Sequence, residues 1–264
     1  MSLTVLLAIA TGILGLAIGS FLNVVVWRVP RGESVVSPPS ACPRCGHRIR
    51  SRDNVPVLSW LLLRGRCRDC GEPISARYPA VEAATGVLFA LLTLVVGVSW
   101  ALPAVLYLGA AAVVLTLIDL DVQRLPDAIV LPSYVIGAVL LALGSWNPGG
   151  EPDWWALARA AIGAVGLFVF YFAAALAYPK GMGFGDVKLA GVLGMYLAWF
   201  GWGAFVVGGF SAFLLGGVFS VGLLISGRAG RKSGIPFGPW MLCGALLGII
   251  VGESVWDGYL GLFL

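Results

Sequence analysis

Apolar positions along this chain come in long runs, without strand-like alternation. The runs cover roughly 3–26, 81–99, 102–118, 128–146, 156–178, 187–201, 203–226 and 236–255. About 20 mostly apolar residues are what an α-helix needs to cross a hydrocarbon layer of about 30 Å. In lipid every backbone N–H and C=O has to be paired within its own element, so such runs form helices; barrel strands would be shorter and would alternate. The pattern predicts an all-α polytopic membrane protein with about eight transmembrane helices. Trp199-Phe200-Gly201-Trp202-Gly203, between the sixth and seventh runs, reads as a tight turn or an interfacial kink. Gly15 and Gly19 form a small-xxx-small pair suited to close helix contact. No basic residue precedes the first run and no small-x-small cleavage site precedes Trp27, so residues 3–26 read as a retained first span.

Composition removes the soluble alternative that a length of 264 residues would otherwise suggest. The chain is 59% hydrophobic with a mean hydropathy of +0.94, and only 11% of it is charged. A soluble domain carries roughly a quarter charged residues, because much of its surface faces water. The net charge of +4 does not indicate nucleic acid, since the basic residues lie in a few segments between apolar runs. Alternating the spans places 28–80, 119–127, 179–186 and 227–235 on one side. With Lys188, these hold all of the 17 Lys and Arg residues except Arg159. By the positive-inside rule that side is cytoplasmic, and both termini are extracytoplasmic. Three parts follow: a first transmembrane helix (1–27), a cytoplasmic cysteine-containing loop (28–80) and a seven-helix membrane domain (81–264).

The loop contains Cys42-Pro43-Arg44-Cys45 and Cys67-Arg68-Asp69-Cys70. Two CxxC knuckles can place four thiolates at the corners of a tetrahedron, which suits structural Zn2+, and the chelate would stabilise a segment with little core of its own. A redox pair is the competing reading, but the loop lacks the strand–helix setting such a pair uses. Four thiolates leave no open position for water, so the expected zinc is not hydrolytic. His47, the one histidine, reads as a solvent-facing loop residue, and its isolation argues against a nucleophile–histidine system. Cys243, in the last run, reads as a buried small apolar residue.

Two acidic clusters sit at span boundaries, where charge is costly and suggests function. One runs Ile118-Asp119-Leu120-Asp121-Val122-Gln123-Arg124-Leu125-Pro126-Asp127, and the other Gly181-Met182-Gly183-Phe184-Gly185-Asp186-Val187-Lys188. The topology puts Asp119 and Asp186 at similar depth on one side. Two carboxylates held close cannot both ionise cheaply, so one keeps a proton, as aspartyl proteolysis requires. The other readings stay open on the residues alone. Asp127 and Asp186 precede helical runs and suit caps, and Asp121 suits a solvated interface. A proton-coupled transporter would use such acids as a relay, and a non-enzymatic secretion-platform component would bind partners through its glycine-rich helices.

Gly183-Phe184-Gly185-Asp186, continuing Val187-Lys188-Leu189, resembles the GxGD signature of the type IV prepilin peptidases, a family of polytopic membrane aspartyl enzymes. Asp119 with Pro126-Asp127 is similar to the other catalytic region. Gly19-Ser20-Phe21-Leu22-Asn23-Val24 with Arg28 and Pro30 looks like the family's N-terminal signature. Pro56, Ser59-Trp60-Leu61, the four cysteines, Arg77-Tyr78-Pro79 and Glu82 look like its cytoplasmic segment. The resemblance implies Asp119 and Asp186 as catalytic residues. It further implies type IV prepilins or type II secretion pseudopilins as substrates, cut after a glycine at the cytoplasmic face of the inner membrane. It also implies N-methylation of the new terminus from S-adenosylmethionine. No glycine fingerprint of a Rossmann kind marks a cofactor site. Glu33, Asp53, Asp69, Glu72 and Glu82 are conceivable cofactor or amine contacts, and Asn23 a hydrogen-bonding residue near a span end.

Overall fold

The computed structural model describes residues 1–178, 182–227 and 236–263. Nine α-helices are formed among them. They are α1 (Leu3–Arg28), α2 (Leu58–Leu62), α3 (Arg77–Val96), α4 (Leu102–Val122), α5 (Asp127–Trp146), α6 (Trp154–Ala177), α7 (Phe184–Phe200), α8 (Trp202–Ile225) and α9 (Gly238–Leu260). No strand occurs among the described residues, only two isolated bridges in the loop. Seven of the helices, all but α2 and α7, are long and apolar enough to cross a membrane. The predicted cytoplasmic residues Lys180, Arg228, Arg231 and Lys232, and Gly181, lie outside the described residues.

The chain divides into two compact units, residues 1–98 with 105–117, and 99–104 with 118–264. In the first, α1 lies against α3 through the small residues expected to allow it. A Cβ on Gly15 would come within 2.8 Å of Gly86 Cα, and one on Gly19 within 2.8 Å of Glu82 Cα. Thr11 and Thr93 hydroxyls meet at 2.7 Å across this seam. Packing and hydrogen bonds do the work here because lipid supplies no hydrophobic drive between helices.

In the second unit α7 is the interior helix, in contact with α5, α6, α8 and α9. Val187 and every residue from Leu189 to Ala198 are buried. Its 17 residues span about 25 Å, less than the hydrocarbon thickness. Neighbouring protein rather than lipid covers it, so the short length is tolerated. Gly163 on α6 and Gly194 on α7 let the two backbones touch: a Cβ on either would strike the other residue's carbonyl. Arg159, the base on the unexpected side, donates to the Ala198 and Trp199 carbonyls at 2.8 Å each. It thereby closes the C-terminus of α7, where a cation is favoured.

The Trp199–Gly203 segment is a tight turn: α7 ends at Phe200 and α8 begins at Trp202. Gly201 leaves room for the Glu253 carboxylate of α9, whose Oε1 accepts from the Ala204 N–H at 3.2 Å. Cys243 corrects the sequence reading. It lies exposed on the outer face of α9 rather than packed inside, because the face of α9 that meets α8 is built from Gly244, Gly248 and Gly252.

Candidate active site and metal centre

The two knuckles of the loop are copies of one turn. In the first, Cys42 N–H donates to the His47 carbonyl (3.0 Å) and Gly46 N–H to the Cys42 carbonyl (2.9 Å). In the second, Cys67 N–H donates to the Glu72 carbonyl (2.8 Å) and Gly71 N–H to the Cys67 carbonyl (2.9 Å). Gly46 and Gly71 take φ of +72° and +73°, a left-handed conformation that glycine adopts without strain. The repeated glycine after each second cysteine is a signal the spacing argument passed over.

Cys42, Cys45, Cys67 and Cys70 are brought together, their Sγ atoms all within 4.8 Å of one another, and Cys42 Sγ lies 3.8 Å from Cys70 Sγ. Zinc bonds of about 2.3 Å place sulfur atoms about 3.8 Å apart at the corners of a tetrahedron. The donor set therefore fits a zinc ion. Its electrostatics agree. Backbone N–H groups of Cys45 and Arg44 bring the Cys42 thiol down to about 7. Cys70, despite a hydrogen bond from the Glu72 backbone, is pushed up to about 12 by desolvation and by the Cys67, Cys45 and Cys42 sulfurs. Without a cation the four cannot all ionise. His47 is exposed and stands outside the cluster.

The loop's acids are mostly engaged. Arg68 holds Asp53 through hydrogen bonds of 2.6–3.1 Å, and Arg50 meets Asp69 at 2.8 Å. Glu82, only 9% exposed, accepts the Val57 N–H at 2.7 Å. That bond secures Val57 at φ +60°, a conformation unusual for a β-branched residue. Glu33 and Glu72 are exposed. Asn23 Nδ2 donates to the Tyr78 carbonyl at 3.2 Å, the partner its position called for.

In the second unit, Asp119 ends α4 and Asp186 occupies the first turn of α7. Asp119 is 5% exposed, and its Oδ2 accepts the Gly238 N–H at the start of α9 (3.2 Å). Asp186 is half-buried and accepts the Gly183 N–H at 3.3 Å, while its own N–H donates to the Gly183 carbonyl (3.1 Å). It thus does part of the capping that its position suggested. The two carboxylates are within electrostatic reach of each other, and the Tyr171 phenol is within reach of Asp186. Leu125 joins the elements: a Cβ on Gly185 would sit 3.1 Å from it and one on Gly238 3.2 Å. Three helix ends, those of α4, α7 and α9, therefore converge on the pair.

Asp127 does not serve as the α5 cap. Pro126 occupies that position, and the Asp127 carboxylate instead meets Lys188 Nζ at 2.7 and 2.8 Å. The Tyr134 hydroxyl adds a 2.7 Å bond to the Lys188 carbonyl, so α5 and α7 are joined twice beside the aspartates. Asp121 is exposed. Gly238 is the residue that sequence reasoning missed. Its signal was the pair of prolines around Phe237-Gly238, which starts a helix and leaves its early N–H groups free.

Two family models match the chain: the bacterial peptidase A24 N-terminal domain over residues 13–96 and the type IV leader peptidase family over residues 106–221. Curated relatives span nearly the whole chain. The "Prepilin leader peptidase/N-methyltransferase" of Aeromonas hydrophila is 37% identical over 274 residues, 94% of this chain and 92% of its own length. The protein so named in Pseudomonas aeruginosa is 34% identical over 276 residues, 96% and 93% of the two. That of Myxococcus xanthus is 40% identical over 195 residues, 74% of this chain and 57% of its own. No solved structure matches.

Proposed function

The chain belongs to the type IV leader peptidase family, and from that premise we propose that Asp119 and Asp186 are the dyad with which it hydrolyses prepilin leaders. It is a multi-pass inner-membrane enzyme that removes the leader of prepilin-type substrates and methylates the new N-terminus. The transporter and platform readings fall with that membership. One observation supports the dyad: the Asp119 carboxylate, held by the Gly238 N–H of α9, lies within electrostatic reach of the Asp186 carboxylate of α7.

The chemistry follows from the difference between the two environments. One aspartate, ionised, takes a proton from water as it attacks the carbonyl carbon of the scissile glycyl bond. The other, protonated, donates to the carbonyl oxygen, and the proton then passes to the leaving amine. Asp119 is oriented by the Gly238 N–H and Asp186 by the Gly183 N–H, so both enter the reaction with little rotamer freedom to lose. Gly183 and Gly185 leave the backbone beside Asp186 bare, and an extended substrate strand can lie against it.

The family's methyl donor in this reading is S-adenosylmethionine, and the loop of residues 28–80 is the part that serves methylation. Cys42, Cys45, Cys67 and Cys70 hold one structural zinc, which supplies a fixed centre for the loop and no hydrolytic chemistry. Substrates are type IV prepilins or type II secretion pseudopilins, cut after glycine at the cytoplasmic face. With α7 counted as a crossing, both termini are extracytoplasmic.

The test is mass spectrometry of a pilin-like substrate incubated with the purified protein in lipid. The wild type should release the leader, and Asp119→Asn and Asp186→Asn should each lose about 10³-fold or more in rate while remaining folded. Gly238→Ala, whose Cβ would sit 2.7 Å from Asp119 Oδ2, should also cleave slowly. Full activity in either Asn variant would remove that aspartate from the dyad.

A further inference from the structure

A cavity of about 350 Å³ opens between the C-terminal half of α1 and loop residues 35–56. Arg28 is the one charged residue that lines it. The Ser34 and Pro38 carbonyls, 2.8 and 2.7 Å from Nη1 and Nη2, hold the guanidinium in place. These two bonds leave other donors of its fork unused, and no carboxylate among the described residues pairs with it. Ser20 and Ser40 hydroxyls and the Asn54 amide also line the cavity, and none makes a side-chain hydrogen bond with the described residues. Phe21 and Val24 supply an apolar wall, Phe21 being the only aromatic residue in the lining. Several other polar groups of the loop are spent on each other: Asp53 on Arg68, Asp69 on Arg50, Ser59 on Arg52 and Val55. At this cavity the Arg28 fork, Ser20, Ser40 and Asn54 keep hydrogen-bonding capacity to offer.

We propose that this cavity is the methyl-donor site and takes S-adenosylmethionine. The inference rests on the methyltransferase reading above and locates its cofactor. The chemistry of the lining fits the molecule part by part. A guanidinium fork matches a carboxylate, which the donor's methionine portion carries. Neutral hydroxyl and amide groups, Ser20, Ser40 and Asn54, suit ribose hydroxyls and a purine edge. The Phe21 ring suits a purine face or the cationic sulfur. The size falls within the range of small-molecule sites, about 300–1,000 Å³. When bound, the donor supplies a methyl group: its carbon leaves sulfur, the bonding pair stays on sulfur, the neutral amine forms the C–N bond, and one proton and S-adenosylhomocysteine are released. The residues here bind and orient; the dyad belongs to the other unit.

The full-length protein in lipid nanodiscs is dialysed against radiolabelled S-adenosylmethionine, and leader cleavage is measured on the same preparations. The wild type should bind label that excess S-adenosylhomocysteine displaces. Ser40→Trp, which fills the cavity from the loop, should weaken binding by about tenfold or more. Arg28→Lys, which keeps the charge and loses the fork, should weaken it by several-fold. Leader cleavage retained in Ser40→Trp shows that the protein is folded. Should Ser40→Trp lose cleavage too, Phe21→Leu decides: weaker label binding supports the site and unchanged binding overturns it. Label bound by Ser40→Trp as by wild type overturns the proposal, as does a wild type that cleaves and binds no label. A wild type that binds label and does not cleave would sink the peptidase reading and leave the donor site standing.

Discussion

Cys42 and Cys45 meet because a single turn of chain, closed by Gly46, leaves them nowhere else to point, and Cys67, Cys70 and Gly71 repeat the device. Asp119 and Asp186 come within electrostatic reach of each other for a different reason. They lie on separate helices, and only the packing of α5, α6, α8 and α9 around α7 sets where the end of α7 stands. Each half of the first site is local, and the two halves lie within one loop among half-exposed and exposed residues. The second is non-local and held by close backbone contact. Damage to one should therefore look unlike damage to the other.

The largest effect should come from the packing. Gly194→Leu forces a side chain into the Gly163 carbonyl, backbone against which neither helix can yield cheaply. Overpacking of this sort costs about 1–3 kcal/mol or more. Thermal unfolding in detergent should shift downward, and leader cleavage should be lost with it, while zinc content stays near the wild-type value. A stable and active Gly194→Leu would mean that α6 and α7 do not set the dyad.

Removing one ligand gives the converse. Cys67→Ser should release the metal and make the loop open to protease, because a structural zinc is a large part of the folding energy of so small a segment. The helices of the second unit should keep their thermal midpoint. Metal content measured by elemental analysis and limited proteolysis read the two halves separately, and retained stoichiometric zinc would remove Cys67 from the ligand set.

The smallest effect lies in the loop's ion pairs. Hydrogen bonds from Arg68, then its charge, hold the Asp53 carboxyl below the usual carboxylate range. A group lowered in the folded state stabilises fully above its unfolded value of about 3.9 and loses that contribution as pH falls through the folded value. Asp53→Asn should thus be nicked slightly faster than wild type at pH 6, and the difference should vanish as pH falls through the lowered folded value. Arg68 stands exposed to solvent screening, so the difference is small. An equal rate at pH 6 would show the pair to be without effect.

How much was legible in advance varies by residue in the same way. The helices and the cysteine cluster were readable because apolar run length and CxxC spacing are properties of adjacent residues. Asp119 and Asp186 were legible as charges at span ends, and Asp186 also as part of a glycine-rich motif. Asp127 was misread as a cap because Pro126 precedes it; its partner Lys188 is distant in sequence. Gly238 escaped notice because a backbone N–H leaves no trace in the pattern of side chains. Arg159 looked like an exception to the charge bias until α7 showed the carbonyls it serves.

The sequence by itself determined that the chain forms membrane helices, that four thiolates gather in one loop, and that two carboxylates stand at helix ends. Those outcomes follow from hydrocarbon thickness, from backbone groups that have to be paired in lipid, and from short covalent spacing. Tertiary structure alone decided that α7 is the covered interior helix and that the α9 backbone orients Asp119. It also decided that Arg28 lines a cavity rather than an ion pair. The first two depend on contact between residues far apart in the chain, set by which glycines allow two backbones to close, and the third on how the loop folds back over α1; no local pattern encodes either.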